Sequence, residues 1–203
     1  LKHETRTQIA DAAERLFGQY GFREVTVDAV AREAGVSRQT VFNHFPAKED
    51  LVFDRAGEFE AQVFAVIRDR AAEVGVVDAF RAGHRAFWSR LRLLPDPLPD
   101  PSPRGGFFHL VAASPALQAY ARELNSRTAG RMAAAIAESA GASLDDLRPR
   151  VVADALLAVY AATFDAIQRH VVAGEHPQRV LDGVLDQADT SLDLLRDGIS
   201  AYP

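Results

Sequence analysis

The chain has 203 residues, 48% of them hydrophobic and 25% charged, which is enough apolar material for one large domain or a small domain joined to a larger one. It contains no cysteine, which removes disulfides, thiolate metal sites and thiol nucleophiles and fits a reducing compartment. A net charge of −5 argues against indiscriminate coating of nucleic acid, because sequence-independent affinity comes from neutralising phosphates; any contact with DNA has to be local.

Leu1 to Arg6 hold no apolar stretch of signal-peptide kind, and the most apolar run, Ala155 to Ala162, falls far short of the roughly 18 residues that span a bilayer. A soluble cytoplasmic protein with no membrane partner is expected. Apolar residues recur at helical spacing almost throughout without sustained alternation, so the predicted fold class is all-α. The first helix runs from about Arg6 to Tyr20, with Ile9, Ala12, Ala13, Leu16, Phe17 and Tyr20 on one face, a capping-box pattern at Thr5-Arg6-Thr7-Gln8, and Gly21 as its stop.

A second helix follows Thr26, a natural N-cap, and carries Val27, Val30, Ala31 and Ala34 inward. Ala34-Gly35-Val36-Ser37 then reads as a turn, glycine allowing a left-handed backbone and serine capping a third helix that ends before Pro46. Two short helices joined by such a turn make a helix-turn-helix. A fourth helix, about Lys48 to Glu73 with Leu51, Val52, Phe59, Val63, Phe64 and Ile67 inward, is expected to run unbroken from this head into the body. The expected domains are a three-helix helix-turn-helix DNA-binding domain over 1–53 and a larger helical ligand-binding and dimerisation domain over 54–203.

The body continues with a fifth helix over about Val76 to Leu94. The proline-dense segment 95–103 cannot extend it and reads as an extended loop, suited equally to gating a pocket or to connecting two surfaces. A short helix over Phe107 to Ala113, one from Ser114-Pro115 to about Ala140, one over about Leu147 to Val172 and one over about Gln178 to Arg196 complete the chain.

In the third helix Val41 and Phe45 are four apart and face inward, so Gln39, Thr40 and Asn43 face outward. Gln and Asn amides can pair with adenine in the major groove and a threonine methyl can touch thymine, while Arg38, Phe42 and His44 stand at the flanks nearer phosphates. Residues 36 to 48 hold Arg38, His44 and Lys48 and no carboxylate.

Ala12-Ala13, Leu16-Phe17, Gly21-Phe22, Val25-Thr26-Val27, Ala31, Ala34-Gly35-Val36-Ser37, Thr40, Phe42, His44-Phe45 and Lys48-Glu49-Asp50-Leu51 together resemble the N-terminal domain of the TetR family of bacterial regulators, over about residues 6 to 53. The resemblance implies a homodimer with the third helix of each subunit in the major groove of a near-palindromic operator. It puts Thr26, Thr40, Phe42, His44 and Lys48 near phosphates and Arg38, Gln39 and Asn43 nearest base edges. Two positions depart from the family's pattern: Phe42 lacks the hydroxyl of the usual tyrosine, and Ala47 stands where a helix-capping residue is common.

Beyond Phe53 the residues alone argue. Phe80, His84, Phe87 and Trp88 align on the fifth helix, and Phe108, Tyr120, Tyr160 and Phe164 are expected to meet them in a pocket for a small apolar or amphipathic effector. The resemblance implies that such a ligand changes the spacing of the two heads, which half-sites about 34 to 36 Å apart tolerate poorly. The last two helices are apolar on more than one side, which predicts a homodimer formed through them. No GxxxxGK, GxGxxG, HExxH or G-x-S-x-G motif occurs and the histidines are scattered, so neither catalysis nor a metal or other cofactor is expected.

Overall fold

The computed structural model describes residues 2–54, 56–71, 73–90, 106–143 and 145–198, giving the backbone alone for residues 2, 3 and 56–59. The proline-dense segment lies outside the described residues. Those described form helices without strands: α1 (Lys2–Tyr20), α2 (Val27–Glu33), α3 (Arg38–His44), α4 (Ala56–Arg68), α5 (Val76–Trp88), α6 (Phe107–Ala113), α7 (Pro115–Ala140), α8 (Arg148–Val172) and α9 (Pro177–Asp197), with a 3₁₀ turn at Glu49–Leu51.

Two compact units result. The first comprises the described residues of Leu1–Ala56 and Pro97–Tyr120. Its core is Ile9, Ala12, Ala13 and Phe17 of α1, Phe22 and Val25 of the link, Val30 and Ala31 of α2, Val41 and Phe45 of α3, and Leu51, all buried. α1 begins four residues before the expected start, so Thr5 to Gln8 sit within a helix whose first turn nothing in Lys2-His3-Glu4 interrupts. Tyr20, expected inward, is 53% exposed at its last turn.

The unbroken fourth helix is not found. Residues 49–51 form one 3₁₀ turn whose Leu51 is buried and which packs on α1, and α4 starts only at Ala56. Ala47 has no side-chain oxygen to cap a helix, and its N–H donates instead to Asp50 Oδ2 at 2.8 Å, while the Asp54 carbonyl accepts from Arg6 Nη2 at 3.4 Å. The far end also closes early, at Arg68, where the Arg70 guanidinium donates to the Ile67 carbonyl. α5 ends at Trp88 with Ser89 as its C-cap, and the end expected at Leu94 lies outside the described residues.

The second unit comprises the described residues of Gly57–Asp96 and Ala121–Pro203. α8 packs chiefly on α9, and α5 lies against both. Val63 and Ile67 of α4, Phe80 of α5, Met132 and Ile136 of α7, Leu156 and Leu157 of α8 and Leu192 of α9 form one buried cluster. Arg81 and Arg85 of α5 clasp α9: Arg81 Nη2 meets Asp193 Oδ1 at 2.6 Å, and Arg85 meets Asp189 Oδ2 at 2.8 Å and Asp186 Oδ1 at 3.0 Å. By length and composition α8 is apolar enough to cross a bilayer, a length that the short run Ala155 to Ala162 does not disclose. Within the unit its Ala153, Leu156, Leu157, Thr163 and Ile167 are core residues.

Candidate nucleic-acid interface

The head is built from its caps. Thr26 Oγ1 accepts from the Ala29 N–H at 3.1 Å and starts α2. α2 ends on a left-handed Gly35, φ +65°, with Val36 N–H donating to the Ala31 carbonyl at 2.9 Å and Gly35 N–H to the Arg32 carbonyl at 3.2 Å. This crossed pair satisfies the last carbonyls and turns the chain sharply. Ser37 Oγ then accepts from the Thr40 N–H at 3.0 Å and lies 2.8 Å from Thr40 Oγ1, starting α3.

Val41 and Phe45 are each 1% exposed, which fixes the roll of α3 and turns Arg38, Gln39 and Asn43 into solvent, with Thr40, Phe42 and His44 half-buried at its sides. Gln39 Nε2 donates to Asn43 Oδ1 at 3.0 Å, so the two amides form one polar patch. Arg38 Nη1 donates to Asp28 Oδ2 at 3.1 Å, and its guanidinium lies 5.4 Å from the Phe42 ring centroid. The sequence-predicted residues of α3 are thus brought onto one surface.

Lys48 takes a different attitude. Its Nζ donates to the Phe22 carbonyl at 2.5 Å and sits 4.3 Å from that ring's centroid, tying the segment after α3 to the link between α1 and α2. Partial burial holds this ammonium below the usual lysine range, opposed by Glu49 and Glu24.

Three bracing residues escaped the sequence reading. Arg6 donates to the His44 carbonyl at 2.7 Å and lies 4.1 Å over the Phe45 ring, capping α3 from α1. Asp28 holds Arg38. Asp50 accepts from Ala47 on one oxygen and from the Tyr120 hydroxyl on the other. Arg6–His44 and Asp50–Tyr120 join residues 38 and 70 apart and Asp28–Arg38 crosses the turn between two helices, so only the capping-box spacing of Ala47 and Asp50 left a local signal.

The expected pocket residues divide. Phe80, His84, Phe87, Trp88, Tyr160 and Phe164 form one aromatic cluster in the second unit, with Trp88 and Tyr160 centroids 5.4 Å apart and Phe80 stacked on His84 at 5.6 Å. Phe108 and Tyr120 belong to the first unit, where Tyr120 lies 5.7 Å from Phe53 and Phe108 lies 5.5 Å from Phe107. The reason is helix length: α7 spans 26 residues, and Tyr120 sits in its opening turns. His84 is fully buried, and its Nε2 accepts from Trp88 Nε1 at 3.1 Å. Burial, aided by Arg85, lowers its pKa to about 4, so the imidazole is neutral with its proton on Nδ1. Burial likewise pushes the Tyr160 phenol up, keeping its proton.

A capped helix-turn-helix with an outward polar face, in a chain whose other described elements are all helices, defines a DNA-binding regulator. Comparison with known proteins agrees: residues 9–54 match the model of bacterial regulatory proteins of the tetR family, and residues 75–199 match that of the MftR C-terminal domain. The chain is 30% identical over 190 residues to the HTH-type transcriptional repressor Rv1474c of Mycobacterium tuberculosis, covering 92% of each. It is 28% identical over 201 residues to the HTH-type transcriptional regulator TcmR of Streptomyces glaucescens, covering 97% of this chain and 85% of that one. Its fold is similar to that of NalD, the secondary repressor of the MexAB-OprM multidrug efflux pump in Pseudomonas aeruginosa, with a TM-score of 0.56, 19% identity and coverage of 94% and 98%. The chain belongs to the TetR family of transcriptional regulators.

Proposed function

We propose that this regulator is a repressor that grips a near-palindromic operator as a homodimer, α3 of each subunit entering the major groove, and that a small apolar or amphipathic effector changes its hold. The observation that carries the reading is the roll of α3: Val41 and Phe45 are buried while Arg38, Gln39 and Asn43 stand in solvent on one side. On this reading those three meet base edges, and Thr26, Thr40, Phe42, His44 and Lys48 line the phosphate walls. The outward side of α8, with Val151 at 64% and Val172 at 46% exposure and Ala158 and Ala162 between them, supports pairing of the last two helices with a second copy. The cluster around His84 and Trp88 supports an effector site in the body, reduced to Phe80, His84, Phe87, Trp88, Tyr160 and Phe164.

The test is a pair of variants assayed on duplexes selected from a random library. Lys48→Ala should weaken binding to every duplex and flatten the salt dependence, whereas Gln39→Ala should relax base preference at one position of each half-site. Were both variants to bind the selected duplex as the parent does, this assignment of contacts would be wrong.

A further inference from the structure

We infer that Asp28, on the helix before the reading helix, is a specificity-determining residue that aims Arg38 at a guanine. This rests on the reading above, that α3 lies in the major groove. Arg38 is the first residue of α3, and the leading residues of a recognition helix are those that reach base edges. An arginine there has two uses. As a swinging cation it neutralises whichever phosphate is near, with no sequence information; as a fixed planar fork it pairs with O6 and N7 of guanine, the commonest specific contact.

The geometry favours the second. Asp28 Oδ2 meets Nη1 at 3.1 Å, and the guanidinium carbon lies 5.4 Å from the Phe42 ring centroid, so the free chain already orients the group in one direction and against one face. With Nη1 engaged, the Nε and Nη2 edge remains as the two-donor fork that guanine requires. Asp28 is itself anchored, being the second residue of a helix capped by Thr26, where a carboxylate suits the helix dipole. Its side chain is 55% exposed, beside the surface that would meet DNA, so its negative charge also repels phosphates and disfavours duplexes that offer Arg38 no guanine. One residue thus raises discrimination from both sides, and Phe42, which lacks a hydroxyl for phosphate, gains a role as the ring that supports the fork.

The experiment compares wild type, Asp28→Asn, Arg38→Lys and Arg38→Ala by selection from a randomised half-site library, followed by titration on the selected and on scrambled duplexes. Circular dichroism and melting serve as folding controls. Wild type should select guanine at one position per half-site. Arg38→Ala and Arg38→Lys should both lose that preference, about ten-fold, the lysine keeping its affinity for scrambled DNA because it keeps the charge but not the fork. Asp28→Asn should lose preference at the same position while binding scrambled DNA more tightly than wild type. An intact guanine preference in Asp28→Asn, with Arg38→Ala abolishing it, would overturn the role of Asp28. An unchanged preference in Arg38→Ala would overturn the role of Arg38. Absence of any selection by wild type would sink instead the parent reading of α3.

Discussion

Lowering the pH from about 7 to about 5 acts on the second unit through His84. In the folded chain burial holds its pKa at about 4, against 6.5 for an unperturbed imidazole. Above the higher value the ring is neutral in both states and the full stability is present. As pH falls from 6.5 toward 4 the unfolded chain takes up a proton that the folded one refuses, and each unit removes about 1.4 kcal/mol. The loss reaches about 2 kcal/mol at pH 5 and levels off near 3 kcal/mol below pH 4. Carboxylates titrate over part of the same range, so the comparison is with His84→Phe, which shares them. That variant leaves Trp88 Nε1 without its acceptor, at about 1–3 kcal/mol, but this offset does not vary with pH. The chain's single tryptophan, Trp88, is the hydrogen-bond partner itself, so urea unfolding followed by its emission reports directly on the site. Wild type should lose about 2 kcal/mol more than His84→Phe between the two pH values. Parallel stability curves, or an imidazole that titrates near 6.5 in the folded protein by nuclear magnetic resonance, would refute the argument.

Two other substitutions probe the body. At Gly83, in the middle of α5, an added Cβ would lie 2.9 Å from Val66 Cγ2 of α4, so the helix propensity gained by Gly83→Ala, about 1 kcal/mol, is outweighed by overpacking of about 1–3 kcal/mol. Thermal unfolding should show a net loss of about 1 kcal/mol, and a stabilised variant would mean that α4 and α5 do not approach so closely. On the proposed pairing through α8 and α9, Ala158→Glu, on the outward side of α8, should leave the fold intact yet shift light scattering from dimer to monomer, because a charge buried between copies without a partner costs about 3–5 kcal/mol. A dimer as tight as wild type would move the interface elsewhere.

The fold was legible wherever a boundary carries its own chemistry. Thr26, Ser37 and Ser114-Pro115 mark helix starts, and α2, α3, α6, α7, α8 and α9 fall within a residue or so of expectation, α9 taking in Pro177, which was expected in the connection before it. Where a boundary depends on remote partners the sequence is silent. Apart from the missing capping oxygen at Ala47, nothing between Lys48 and Asp54 opposes a helix, yet residues 49–51 form only a 3₁₀ turn as Leu51 buries beside α1 and Arg6 takes the Asp54 carbonyl. Helical periodicity also identified the six aromatic residues that cluster in the second unit, but it could not tell how far along α7 the chain passes from one unit to the other. Tyr120 was therefore expected among them and instead bonds Asp50, 70 residues away.

For the reading surface the same distinction separates two kinds of contact with different consequences. Side-chain outwardness follows from a period of 3.6, so Gln39 and Asn43 could be read directly. The pairing of Arg38 with Asp28 could not, and it is of exchangeable kind: the two side chains are 61% and 55% exposed, a setting in which an ion pair is worth about 0–1 kcal/mol. Such a pair orients its members while costing little to rearrange against a base edge. The contacts beneath it, Arg6 to the His44 carbonyl and Lys48 to the Phe22 carbonyl, are partly buried, and losing a charge-assisted bond there costs more, about 1.5–3 kcal/mol. On the proposed placement of α3 in the major groove, a head arranged this way holds its frame fixed while its outer layer adapts, so mismatched bases would be penalised at the exposed pairs and not by distortion of the helices that carry them.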